Sequence, residues 1–252
     1  MAQVGSSCTQ LVAPFRVSFT SQCDGLERMD GERQDKVVIL IRHGQSNGNV
    51  RFGAFGKCLR ALSRCRCPDC TTIGMCFDLF RVILCCDIKN MLRDPELSDV
   101  GKAQVASVAR QFQDRDFVKS EGVTLVVHSD MRRTRATCEG LFASSDVQIL
   151  GDRTFREWDL CETCVCGSDG NWDARVKACR HWIAARPEKR IAVVGHAMLF
   201  QAFQQRSGTR HFNNVEVRRC NFDVRTMRFD AGEVIFTPHL GPEDSELVGA
   251  SD

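Results

Sequence analysis

A chain of 252 residues is long enough to bury a substantial core and is sized for one α/β domain with appended segments. Its 34 Lys+Arg nearly balance 32 Asp+Glu, and the resulting +2 supplies no field that would draw nucleic acid or anionic lipid to the whole surface, so any attraction for an anion is local. No segment reaches the roughly 18 apolar residues of a membrane span and the first residues lack an export signal, so the chain reads as soluble and cytoplasmic, with no nucleic-acid or membrane partner.

Residues 1–35 show no sustained hydrophobic period and read as a loosely packed, mobile leader. The domain is expected over 36–240, with 241–252 as a C-terminal tail. Three short runs rich in Val and Ile follow: VVILI (37–41), VTLVV (123–127) and IAVV (191–194). Runs without polar alternation suit strands covered on both faces, as in a parallel sheet. Between them, Val105, Val108, Ala109 and Phe112 fall at helical spacing, as do Trp172, Val176, Cys179 and Ile183. Strands alternating with helices predict a three-layer α/β/α fold with a mostly parallel central sheet. The stretch FDVRTMRFDAGEVIF (222–236), with Gly232 at a turn, reads as a closing hairpin near the sheet edge.

Residues 50–93 break this rhythm. They carry seven cysteines, and Phe77, Phe80, Leu84, Ile88 and Met91 recur at steps of 3, 4, 4 and 3, the pattern of an amphipathic helix. The segment reads as a Cys-rich insertion, either a cap over the site or a helix on the domain's flank. The total of 15 cysteines is odd and the chain is large, so reduced thiols are expected rather than a disulfide scaffold. Cys65, Cys67, Cys70 and Cys161, Cys164, Cys166 leave a structural zinc as the alternative.

In open parallel sheets, ligands bind beyond the carboxyl ends of the strands. Two of the runs end there in a histidine, Arg42-His43-Gly44 and Gly195-His196-Ala197, so two imidazoles can converge at rigid tips. Gly44 is expected to let the backbone approach a ligand. The third run delivers Arg132, Arg133 and Arg135 at the start of a helix, where guanidinium forks suit phosphate oxygens. His128, which also ends a strand, is given a structural role.

Four segments in order carry a family resemblance: RHGQSNGN (42–49), DPELSDVGKAQ (94–104), SDMRRTRAT (129–137) and VVGHAMLF (193–200). Together they resemble the histidine phosphatase superfamily, the phosphoglycerate mutase-like fold. The resemblance implies that His43 is the nucleophile that becomes a phosphohistidine and that Arg42 and Arg133 clamp the phosphoryl group. It implies further that His196 is the second imidazole, protonated against the phosphate, and that Gln45, Ser46 and Asn49 contact substrate from the loop. Glu157 in TFREW matches the general acid, with Glu162 as the fallback, because the text after Glu157 departs from the family's glycine-bearing continuation. Asp130 and Ala197 stand where the family usually has proline and glycine.

The activity so implied is hydrolysis of phosphomonoesters on a phosphorylated small molecule or phosphoprotein, with no metal and no cofactor. Two other readings stay open: a phosphoglycerate mutase-type phosphotransferase, disfavoured because only 39 positions separate Glu157 from His196, and a catalytically inactive phospho-ligand binder or scaffold. The oligomeric state is not readable.

Overall fold

Strand β1 (Lys36–Arg42) sends Val38 and Leu40 into one interior and Ile39 and Ile41 into another, all four fully buried. The structure is a computed structural model describing residues 35–50, 94–157, 172–204 and 211–239. The same alternation runs along β2 (Leu125–His128), where Leu125 and Val127 oppose Val126, and along β4 (Arg190–Gly195), where Ile191 and Val193 oppose Ala192 and Val194. Successive side chains of a strand face opposite ways, so a run that is apolar at every position must be covered twice.

Helices provide both covers. On one face, α1 (Asp99–Asp114), α2 (Phe117–Ser120) and α3 (Arg132–Phe142) contribute Val105, Val108, Phe112, Phe117, Leu141 and Phe142. On the other, α4 (Trp172–Ala185) and α5 (Ala197–Gln204) contribute Val176, Ile183, Leu199, Phe200 and Phe203. The three-layer α/β/α expectation therefore holds.

The strand order is β3-β2-β4-β1-β5-β6, with β3 at Gln148–Gly151, β5 at Val217–Asp223 and β6 at Arg228–Phe229; β7 (Glu233–Phe236) also pairs with β5. Strands β3, β2, β4 and β1 are mutually parallel, β5 is antiparallel to β1, and β6 and β7 are antiparallel to β5. Only β5 thus runs against the rest, and the sheet is mostly parallel.

The closing hairpin is present, but its turn is not at Gly232. Residues 224–227 make it, capped by the Asp223 carboxylate, which accepts from the backbone N–H groups of Arg225 and Thr226. Gly232, at φ +67°, instead interrupts the returning strand between β6 and β7, where a Cβ would lie 2.5 Å from Cys220 Sγ.

Cys138, Cys179 and Cys220 are buried free thiols, each pushed up to about 12 chiefly by burial, which leaves them unreactive. The leader apart from Asp35, the insertion apart from Val50, the tail 241–252, the helix read over 77–91, both cysteine clusters and Glu162 lie outside the described residues. No helix among the described residues is long and apolar enough to cross a membrane.

Candidate active site

The parallel register brings the functional side chains together. Arg42 pairs with Gly195 across β1 and β4, and the His43 N–H donates to the Gly195 carbonyl at 3.0 Å. The next residue on each strand is a histidine, and the rings of His43 and His196 lie edge to face with centroids 5.2 Å apart. From β2, the Ser129 N–H donates to the Val194 carbonyl and the chain turns into α3, which carries Arg133. From β3, a short 3-10 turn (Arg153–Phe155) leads to Glu157. Four adjacent strands thus deliver one group each to a single end of the sheet.

Arg133 is the hub. Its Nε donates to His43 Nε2 at 3.3 Å, its Nη2 lies 3.4 Å from His196 Nδ1, and the same Nη2 donates to Glu157 Oε2 at 3.2 Å. Glu157 Oε2 is also 3.5 Å from His196 Nδ1. Asp94 Oδ1 accepts from the Arg132 N–H and stands 3.8 Å from Arg133 Nη1, backing the guanidinium from behind. Burial raises the Asp94 carboxyl, while the bond from the Arg132 N–H and the Arg133 charge oppose that shift.

Arg42 is held by carbonyls: its Nη1 donates to Phe212 O and its backbone N–H to Glu216 O. Arg42 Nε and His196 Nε2 are buried with no hydrogen-bond partner among the described residues, which is unusual for polar atoms in an interior.

The tautomer of His43 follows from its neighbours. Nδ1 is 2.7 Å from the Gly44 carbonyl, which can only accept, and Nε2 faces the Arg133 Nε–H, which can only donate. The proton therefore sits on Nδ1, and Nε2 keeps its lone pair. Burial, then Arg133 and Arg42, hold the His43 pKa well below its usual value, against the pull of the Gly44 bond, so the ring is neutral near pH 7.

His196 lies in the same field. Burial, followed by Arg133, His43 and Arg42, holds its pKa well below the usual value too, so without a ligand it is neutral rather than protonated. Two fixed guanidiniums make a third cation there unfavourable until an anion arrives.

The second motif serves the loop that follows His43. Ser98 caps α1 by accepting from the Gly101 N–H and donates at 2.8 Å to Gln45 Oε1, while Gln104 Oε1 accepts from the Gln45 N–H. A Cβ on Gly101 would lie 2.0 Å from the Gln45 carbonyl, and one on Gly44 would lie 2.9 Å from Gly101 O. Gly44 is therefore required for contact with α1, a different reason from the ligand approach expected. Thr137 Oγ1 accepts from the Gly44 N–H and donates to Arg133 O, tying the His43 loop to the Arg133 helix.

The three residues expected to contact substrate make loop bonds. Asn49 Oδ1 accepts from both the Ser46 N–H and the Ser46 hydroxyl, and Gln45 bonds Ser98 and Gln104 as described. Arg132 pairs with Glu96 at the surface and Arg135 is exposed. His128 is buried with Nδ1 against Ser129 O, in keeping with a structural role. Asp130, in the usual proline position, grips Arg156 through two bonds of 2.6 and 2.7 Å and so braces the residue preceding Glu157.

His43, Glu157 and His196 present ligand atoms all within 4.8 Å of one another, a spacing that a metal ion can use. The Arg133 fork reaches all three. A unit charge about 4 Å from a guanidinium meets a gross interaction of ~4 kcal/mol at an effective dielectric of ~20, attractive for an anion and repulsive for a cation. The guanidinium charge thus favours an oxyanion over a cation there.

The model of the histidine phosphatase superfamily (branch 1) matches residues 89–163, the stretch that carries the Ser98 cap, Arg133 and Glu157. No curated protein matches the chain in sequence. Among solved structures, mycobacterial hydrolase 2 is 16% identical with a TM-score of 0.51, over 86% of this chain and 97% of that one, a likeness of fold. The mycobacterial glucosyl-3-phosphoglycerate phosphatase (15%, TM-score 0.47, 81% and 100%) and Bacillus stearothermophilus YhfR (13%, TM-score 0.48, 81% and 98%) align at lower scores. Over residues 89–163 the chain is thus similar in sequence to the histidine phosphatase superfamily, and its fold is like that of mycobacterial hydrolase 2.

Proposed function

We propose that this protein is a phosphatase that hydrolyses phosphomonoesters through a phosphohistidine on His43, without a metal. One observation carries the reading: a buried, neutral His43 whose Nε2 lone pair faces the Arg133 guanidinium, with His196 and Glu157 within reach of the same fork. Phosphoryl transfer asks mainly for positioning and for charge on the equatorial oxygens. Arg42 and Arg133 supply that charge. Arg133 Nη2 against His196 Nδ1 favours the ring proton on Nε2, so even a neutral His196 offers a donor to a phosphate oxygen.

In the first step His43 Nε2 attacks phosphorus, the bond to the leaving oxygen breaks, and protonated Glu157 hands its proton to the departing alkoxide. In the second, Glu157 as carboxylate takes a proton from water as that water's oxygen attacks the phosphohistidine, releasing inorganic phosphate and restoring His43. An aryl phosphate tests the reading: wild type turns it over in the presence of EDTA, and His43→Ala does not. Equal turnover by His43→Ala removes the proposed nucleophile.

A further inference from the structure

Glu216 lies outside all four motifs and is fully buried, yet its carboxylate accepts four hydrogen bonds. Oε1 takes Arg218 Nε at 3.2 Å and Arg218 Nη2, and Oε2 takes the Asn213 N–H at 3.1 Å and Asn213 Nδ2 at 3.0 Å. Arg218 is itself buried, donates to Gln204 Oε1, and lies 3.8 Å over the Phe212 ring. With the Glu216 N–H donating to Asn213 O, these bonds close a turn over 213–216 that places Val215 at φ +52°. A β-branched residue in the left-handed region is strained, and such a conformation persists only where its surroundings over-determine it.

The two ends of this turn are what hold Arg42: Phe212 O takes its Nη1, and Glu216 O takes its backbone N–H. We propose that Glu216 is a positioning residue that fixes the Arg42 guanidinium beside His43 before any ligand arrives. The inference rests on the reading of Arg42 as a phosphate clamp.

Glu216→Gln tests it, because the site offers only donors and an amide NH2 there must face one of them. Folding is checked by near-ultraviolet circular dichroism, and Arg42 is followed by its rate of modification with phenylglyoxal, read by peptide mass spectrometry. In the variant Arg42 is expected to react several-fold faster than in wild type. With aryl phosphate the variant is expected to lose about 100-fold in kcat/KM, the scale of a 1 Å misplacement. Asn213→Ala, which removes one donor from Oε2 and leaves the ion pair, is expected to move both readouts the same way by less. Unchanged Arg42 reactivity in folded Glu216→Gln, or in Asn213→Ala should the first variant not fold, overturns the inference. Faster Arg42 labelling in a protein whose wild type neither turns over aryl phosphate nor binds orthophosphate leaves the positioning role standing and removes the phosphatase reading.

Discussion

Arg133 Nε points at Nε2 of His43 from 3.3 Å, so the side chain that adds to burial in keeping the imidazole neutral also guards the lone pair expected to attack phosphorus. Arg133→Lys keeps a positive charge but loses the fork that reaches His43, His196 and Glu157 together. Its kcat/KM for aryl phosphate is expected to fall by about 100-fold or more, in line with loss of a preorganised donor. Steady-state kinetics at constant ionic strength measures this, and a loss under tenfold contradicts the hub role.

Glu157, 3.2 Å from Arg133 and 3.5 Å from His196, is placed to protonate a leaving group. Glu157→Gln is expected to slow release of alkoxides by about 100-fold or more, the usual contribution of a general acid. A nitrophenolate leaves without a proton, so formation of the phosphohistidine from its ester is expected to change far less. A leaving-group series in single-turnover mode checks the contrast, and equal losses across the series exclude Glu157 as the acid.

Both site histidines have folded-state pKa values well below the ordinary one, His211 shifts the same way, and the unfolded chain regains a value near ~6.5. Below that pH the unfolded state binds more protons than the folded state, so stability falls as the solution becomes more acidic. The effect begins near pH 6.5 and stops once the folded rings titrate. Thermal melts between pH 7.5 and 5 are expected to show a falling Tm, with a shallower slope in a folded His43→Asn, His196→Asn double variant. Orthophosphate is expected to raise the His196 pKa, observable in imidazole NMR shifts, because a dianion offsets the two guanidiniums.

Gly101→Ala raises helix propensity by about 1 kcal/mol but places a methyl 2.0 Å from the Gln45 carbonyl. That neighbour is backbone and cannot rotate away, so α1 and the His43 loop must part. A net loss of about 1–3 kcal/mol is expected, as for overpacked interiors, together with reduced turnover. Denaturant melts and kinetics on the same sample check both.

Parallel strands β1, β2 and β4 were legible because each holds an unbroken apolar run that stops at a charged or small residue, and strand tips are where the chemistry gathers. Strand β3 escaped because QILG is a short edge strand with most of its length exposed, which leaves no continuous apolar run. The start of β5 escaped for another reason: VRRC carries two arginines, and Arg218 tolerates burial only because Glu216 pairs with it. No local pattern announces such a pairing. The clamp on Arg156 by Asp130 likewise joins positions 26 apart and needed the fold to be seen. The neutrality of His196 without a ligand was not legible, because it depends on burial and on how many cations lie beside the ring.

The most direct test of the account is chemical trapping at His43. Wild-type protein is mixed with a phosphate ester labelled on phosphorus, quenched in alkali within the turnover time, digested and mapped. The account expects an acid-labile, alkali-stable phosphate on His43, none on His196, and no label in His43→Ala. Steady turnover by wild type with label on another residue, or with none trapped under any quench time while His43→Ala remains active, contradicts it.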